Sequence, residues 1–326
     1  MANLYYDKDA DVRALDGRRV AVVGYGIQGR AQARNLHDSR VDVVVGVRPG
    51  GASWNAAKSD GLEVSEIGPA VGSSDVVMML IPDEVQPDVY RADVAPNLKE
   101  GAALDFAHGF NIRFGTIAPP KHADVIMVAP KGPGAAVRDT FVKGTGVPAL
   151  LAVHQDATGR AKPTALAIAK GLGATRVGVI ETTFTEECET DLFGEQVDLC
   201  GGVSALIRTS FDVLVANGYQ PELAYFEVLH ELKMIVDLIQ AGGIENMWAN
   251  VSNTAEFGGR TRGSRVIDDH VRRNMEALLK DIKSGAFAKE WRDEYRQGMP
   301  TLKRARKDGP ESQLERVGRD VRRMFT

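Results

Sequence analysis

The strongest constraint on the fold sits near the start of the chain, where the run Arg19-Val20-Ala21-Val22-Val23 stops at Gly24 and a helical spacing begins at about Gln28. A β-branched apolar run of this kind reads as a short strand buried on both faces. The turn between strand and helix is Gly24-Tyr25-Gly26-Ile27-Gln28-Gly29, the pattern G-x-G-x-x-G in the position where it has a mechanism. The first glycine permits the tight turn, the second lets the backbone approach a pyrophosphate, and the third allows close packing of helix on sheet. The helix N-terminus then supplies oriented N–H groups for an anion.

The same rhythm recurs. Apolar strands are expected at 41–47, 75–81, 102–106, 124–128, 149–153 and 175–179, separated by helical spacings or Gly/Pro turns. That alternation predicts a doubly wound parallel sheet covered by helices, an α/β Rossmann domain over residues 1–182. After Thr182 the strand signals cease, and long helical stretches run from Thr190 to Phe325, so residues 183–326 are expected to form an all-α domain. A chain of 326 residues exceeds what one core usually organises, which fits two domains. The stretches Gly194 to Asn217 and Glu222 to Gln240 are apolar over more than one face. They are expected to be covered by other helices or by another subunit.

Charge excludes some classes. The formal net charge is −4, and the basic runs near Lys303–Lys307 and Arg322–Arg323 are interleaved with acids, so nucleic acid is not an expected partner. The two cysteines, Cys188 and Cys200, lack zinc or redox spacing and suit a reducing cytoplasm. No signal-peptide pattern opens the chain, and no apolar run is read as reaching the ~20 residues of a membrane span. A cytoplasmic location without membrane insertion is the expectation.

After the second strand, at Val47, an NAD enzyme would usually carry an acid for the ribose hydroxyls; here Arg48-Pro49-Gly50-Gly51-Ala52-Ser53 follows. Arg48 and Ser53 suit the 2′-phosphate of NADP, although Arg48 could also be a solvated loop residue. Asp83, Glu84, Val85 and Gln86 follow the third strand at the same sheet edge, where their backbone can meet a cofactor, and the two acids equally suit a helix N-terminus. His108 follows the fourth strand and Lys131 the fifth, where doubly wound folds bind ligands. A histidine there can move protons near neutral pH, and a lysine can stabilise developing negative charge.

Two acidic pairs stand out. Asp191 and Glu195, and again Glu227 and Glu231, are spaced i, i+4, which puts each pair on one helical face where like charges repel. Solvated faces are one reading of a single pair. Two pairs in apolar helices, without Cys or paired His ligands, point instead to hard divalent cations such as Mg²⁺ or Mn²⁺. His230 lies on another face and reads as packing.

With these residues in view, the chain resembles the short-form, class I bacterial ketol-acid reductoisomerases. The resemblance rests on Tyr5-Tyr6-Asp7-Lys8-Asp9-Ala10-Asp11, Phe106-Ala107-His108-Gly109-Phe110-Asn111-Ile112, Met127 to Gly134, Glu189 to Gln196, and Ser252-Asn253-Thr254-Ala255-Glu256. It implies a helical C-terminal domain that interlocks with a second copy, so that each active site draws on two subunits. It further implies two Mg²⁺ ions, the first served by Asp191 and Glu195, with Asp191 bridging, and the second by Glu227 and Glu231 of the neighbouring copy. His108 would be catalytic with Lys131 in support, Ser252 would hold the substrate carboxylate, and Tyr25 to Gln28, Arg48, Ser53, Asp83 to Gln86 and Gly134 would contact NADPH. The implied substrates are the acetohydroxy acids 2-acetolactate and 2-aceto-2-hydroxybutyrate. Ile27 and Arg30 replace the family's usual serine and histidine, and Gly51 stands where many members carry a second phosphate-binding serine. These departures leave NADH as an alternative cofactor.

Overall fold

A computed structural model describes residues 2–324, and the chain divides into two compact units, Met1–Cys188 and Glu189–Thr326. The division falls inside the helix Phe184–Gly194, six residues beyond the 182/183 boundary read from the end of the strand signals. Phe325 and Thr326, at the end of the expected helical stretch, lie outside the described residues.

The first unit holds a nine-stranded sheet: β1 (Leu4–Tyr5), β2 (Arg19–Val23), β3 (Asp42–Gly46), β4 (Glu63–Ser65), β5 (Val76–Met79), β6 (Ala103–Phe106), β7 (Asp124–Pro130), β8 (Ala149–Gln155) and β9 (Val179–Glu181). Their order across the sheet is β1-β9-β8-β7-β6-β5-β2-β3-β4. The run from β4 to β7 is parallel, as expected, whereas β8 pairs antiparallel with β7, and β1 antiparallel with β9. The strand expected at 175–179 begins at Val179 instead, because Ala174–Arg176 forms a 3₁₀ turn after Gly173. The short strands β1 and β4 carry too few apolar residues to be read from the sequence.

The central strands are buried on both faces, and alternate residues feed two cores. Val20, Val22, Met78, Ile126 and Val128 pack on one side with the helix Ala161–Gly171; Ala21, Val23, Met79, Phe106 and Met127 pack on the other with Val94, Ile117 and Phe184. This is the doubly wound arrangement that a continuous β-branched pattern demands.

The second unit is helical. Phe211, Ala224, Tyr225, Leu314 and Val321 form its buried cluster, fixed further by an Arg322 Nη1–H donated to the Tyr225 hydroxyl at 3.0 Å. The two stretches expected to be covered on several sides are largely open in a single chain: Leu199, Leu206, Val213, Leu223, Met234 and Val236 are exposed. One helical stretch, Phe184–Ala216, spans 33 residues and is long and apolar enough to cross a membrane by length and composition. Charged residues such as Asp198, Arg208 and Asp212 interrupt its apolar sequence.

Asp105, in the middle of β6, is wholly buried. Its Oδ1 accepts the Val128 N–H at 3.0 Å, while its Oδ2 has no partner among the described residues. Burial drives its pKa well above the usual carboxylate range, against the backbone N–H groups of Val128 and Phe106 that favour the anion. Because the folded pKa is raised, its stabilising contribution is full below the unfolded value of about 3.9 and is lost as pH rises through the folded value. Asp105→Asn keeps one acceptor and removes the ionisation, so its Tm should match the parent near pH 4 and exceed it increasingly toward pH 8. Thermal melts across that range test this; a Tm deficit that grows with pH would contradict it.

Candidate active site

Chain progression places the site. From β2 the chain builds outward through β3 and β4, then crosses back to β5 on the other side, which makes the crevice between β2 and β5 the topological switch point where doubly wound sheets bind ligands. The glycine turn lies there. Gly24 has φ +102°, and a Cβ on it would sit 2.6 Å from Ile81 Cγ2 and 2.7 Å from the Leu80 carbonyl oxygen. A Cβ on Gly26 would meet nothing within 4 Å, so the backbone at the head of the helix Ile27–Asp38 is open to a ligand. No side chain caps that helix, which leaves its first-turn N–H groups for an anion. Gln28 donates its amide to the Gly132 carbonyl at 2.9 Å, and Gly134 comes so close that a Cβ would lie 2.3 Å from the Ile27 carbonyl oxygen. Gly29 and Ile27 complete the turn, Ile27 with its side chain in solvent.

After β3, Arg48 is exposed and has no hydrogen bond or ion pair among the described residues, so its charge is available to a ligand. Ser53 lies half-buried in the first turn of the helix Ala52–Ser59, with Gly51 as N-cap. Beyond β5, Asp83, Glu84 and Val85 are half-buried, whereas Gln86 is turned inward: its amide donates to the Ile81 carbonyl at 2.9 Å and Asp83 Oδ1 at 3.2 Å, and accepts from Asn111 at 3.0 Å. The Gln86 side chain therefore shapes this loop, leaving backbone and the preceding residues to face a cofactor.

His108 and Lys131 leave the ends of the neighbouring strands β6 and β7 and meet at one carboxylate. Glu187, 1% exposed, has Oε2 at 3.1 Å from His108 Nδ1 and accepts the Gly109 N–H at 2.8 Å. Its Oε1 accepts from Lys131 Nζ at 2.8 Å. Burial works against a charge on His108, but hydrogen bonds to Cys188 and Glu187, with the charges of Asp83 and Glu187, hold its pKa well above the ordinary imidazole value. Burial likewise raises Glu187, yet His108 and Lys131 more than reverse it and keep the acid ionised. An imidazole whose pKa is raised and an ammonium thus share one carboxylate, an arrangement able to move a proton and to steady an oxyanion.

Each acidic pair of the second unit occurs at a switch in helix type. The α-helix Phe184–Gly194, which carries Asp191, passes into a π turn at Glu195–Leu199, and a second π turn, Phe226–His230, contains Glu227 and is followed by Glu231. The i, i+5 bonds are Cys200 N–H to the Glu195 carbonyl and Glu231 N–H to the Phe226 carbonyl. Asp191 is half-buried, while Glu195, Glu227 and Glu231 are exposed in one chain. The four carboxylates are oxygen donors suited to hard cations. Ser252 is the N-cap of the helix Asn253–Val266; its hydroxyl accepts the Ala255 N–H at 3.2 Å and keeps its own proton to donate. His230 stacks edge-on with Phe226 at 5.2 Å.

Sequence reasoning passed over Glu187. Its signal was present, four residues before Asp191 and eight before Glu195, an acidic stripe on successive turns of one helix. It also missed Asp60, which receives Tyr25 and Arg30 across 35 and 30 residues, and no local spacing announces that meeting.

Comparisons with known proteins agree with this arrangement. Residues 14–178 match the acetohydroxy acid isomeroreductase NADPH-binding domain, and residues 184–326 match the ketol-acid reductoisomerase C-terminal domain. The ketol-acid reductoisomerases (NADP(+)) of Pyrobaculum neutrophilum and Pyrobaculum calidifontis are each 58% identical over 325 residues, covering 100% of this chain and 99% of theirs. A solved NADH-preferring ketol-acid reductoisomerase from an uncultured archean is 47% identical, covers 99% of both chains and superposes with a TM-score of 0.96. With both halves of the chain matched and full-length relatives well above half identical, this protein belongs to the ketol-acid reductoisomerase family.

Proposed function

We propose that the chain rearranges 2-acetolactate and 2-aceto-2-hydroxybutyrate by Mg²⁺-dependent alkyl migration and reduces the products with NADPH to 2,3-dihydroxy-3-methyl acids, a step of valine and isoleucine biosynthesis in the cytoplasm. The observation that carries this reading is the Glu187-anchored pair of His108 and Lys131 at the sheet edge, with Asp191 and Glu195 following on the next turns. A reductase acting by hydride transfer alone has no use for two further acidic pairs.

Asp191, Glu195, Glu227 and Glu231 would hold two divalent ions: they offer oxygen donors alone, and the repulsion within each pair favours a cation. Divalent ions held there would supply Lewis-acid chemistry suited to a ketone and the alkoxide of a tertiary alcohol. A nicotinamide held by the first unit would supply the hydride chemistry of the reduction. His108 supplies or takes the proton at the reacting oxygens from its Nε2 edge, since Nδ1 is engaged by Glu187. Lys131 steadies negative charge beside it, and Glu187 fixes both orientations. The Ser252 hydroxyl donates to the substrate carboxylate. Gly24 to Gly29 and Gly134 cradle the pyrophosphate, with Asp83 to Gln86 bordering the nicotinamide end.

For the cofactor, Arg48 and Ser53 support the 2′-phosphate of NADPH. NADH is a second reading, supported by Gly51, which offers no hydroxyl to that phosphate, and by the solved relative described as NADH-preferring. Self-association follows from the exposed apolar faces of Gly201–Ala216 and Leu232–Ala249, which we assign to a second copy of the chain completing the site. Acidic residues projecting from the same helices argue against a lipid environment.

Asp191→Asn should abolish Mg²⁺-dependent isomerisation of 2-acetolactate, measured separately from reduction of a preformed 3-hydroxy-2-keto acid. Full isomerase activity in that variant would sink the metal assignment. Glu187→Gln should lower turnover by about 10²- to 10⁴-fold, the range for a disabled acid–base group. It should also shift the His108-dependent limb of the pH–rate profile to lower pH, because the raised pKa loses its carboxylate; an unmoved limb would assign that titration elsewhere. Val213→Asp, at a side chain 56% exposed in one chain, should weaken self-association in sedimentation experiments, and an unchanged assembly would remove this face from the interface.

A further inference from the structure

Asp60 ends the helix Ala52–Ser59 as its C-cap, and its carboxylate is 12% exposed. Its Oδ2 accepts the Tyr25 hydroxyl at 2.7 Å and Arg30 Nε–H at 2.7 Å, while its Oδ1 accepts Arg30 Nη2–H at 3.0 Å. Tyr25 belongs to the glycine turn and is 5% exposed; Arg30 stands in the first turns of the helix that follows. One side chain thus joins the pyrophosphate cradle to the far end of the helix whose other end carries Gly51, Ala52 and Ser53. That helix has eight residues, about 12 Å of rigid rod at 1.5 Å per residue, so a shift at Asp60 is carried to the loop at Arg48–Ser53. The bidentate grip also commits the Arg30 guanidinium to Asp60, and the pair holds the carboxyl at about 2, with the Arg30 hydrogen bond the largest cause.

We propose that Asp60 is a positioning residue that sets the preference between NADPH and NADH, by fixing the distance between the glycine turn and the loop that faces the 2′ position of the adenosine ribose. It rests on the dinucleotide reading above. Tyr25 acts in the same clamp, and neither residue needs to touch the 2′-phosphate.

The test titrates NADPH and NADH separately, by nicotinamide fluorescence, into the full-length protein and the variants Asp60→Ala and Tyr25→Phe, with Tm recorded alongside. Asp60→Ala should raise the Kd for NADPH about tenfold and that for NADH less than about threefold, as expected when charge-assisted contacts are displaced rather than removed. Tyr25→Phe should move the ratio the same way by a smaller factor, and it decides the matter if Asp60→Ala does not fold. At saturating NADPH, kcat of Asp60→Ala should stay within about twofold, because the reacting end is untouched. A lower Tm with both Kd values unchanged overturns the proposal, and so does an equal rise in both. Failure of the parent protein to bind either dinucleotide overturns the cofactor reading itself, which separates the two failures.

Discussion

A single buried carboxylate organises the chemistry of this chain. Glu187 sits at 1% exposure, where an unpaired anion would be costly, and it is ionised because three donors converge on it: the imidazole of His108, the ammonium of Lys131 and the Gly109 N–H. Those donors come from the ends of two adjacent parallel strands, β6 and β7, so the pairing register of the sheet and the position of the helix Phe184–Gly194 are specified together. Gly109 is part of the same constraint. A Cβ there would lie 2.3 Å from the Phe184 carbonyl oxygen, so any side chain would push the helix off the strand ends and pull Glu187 away from its partners.

The nucleotide half follows from a second constraint, the reversal of chain direction across the sheet at β2 and β5. That reversal leaves a crevice whose walls are backbone: the glycine turn on one side, the Leu80–Ile81 segment pressed against Gly24 on the other, and the loop after β7 brought in by Gln28 and Gly134. Backbone cradles suit pyrophosphate, because N–H groups bind it without regard to the base. In the function proposed above, discrimination between cofactors would fall to side chains farther out, at Arg48 and Ser53 and in the clamp that holds their helix.

Much of this was legible in the sequence, because the features that make it are local. A β-branched run buried on both faces looks the same wherever it falls, so β2, β3, β5, β6, β7 and β8 could be read directly, and His108 and Lys131 were marked by following a strand end. What escaped depends on distance. The antiparallel pairing of β7 and β8 is not encoded in either strand's composition, since both are apolar. The three residues of β4 and the two of β1 borrow their conformation from neighbours. Asp60 and Glu187 were invisible as site residues for the same reason: each acquires its meaning from partners between 30 and 79 positions away.

The acidic pairs show how function can be argued from accumulated local cost. Like charges one turn apart disfavour a helix by a few tenths of a kcal/mol. A π turn adds a poorer backbone geometry and is frequent at functional sites. Either alone would be unremarkable. Here both penalties coincide twice, at Glu195–Leu199 next to Asp191 and at Phe226–His230 next to Glu231, in helices whose apolar residues are left open by a single chain. The irregular turns re-aim the carboxylates relative to a regular helix. Two costs that recur together are what the cation site proposed above would offset, because a ligand of opposite charge relieves the repulsion within each pair.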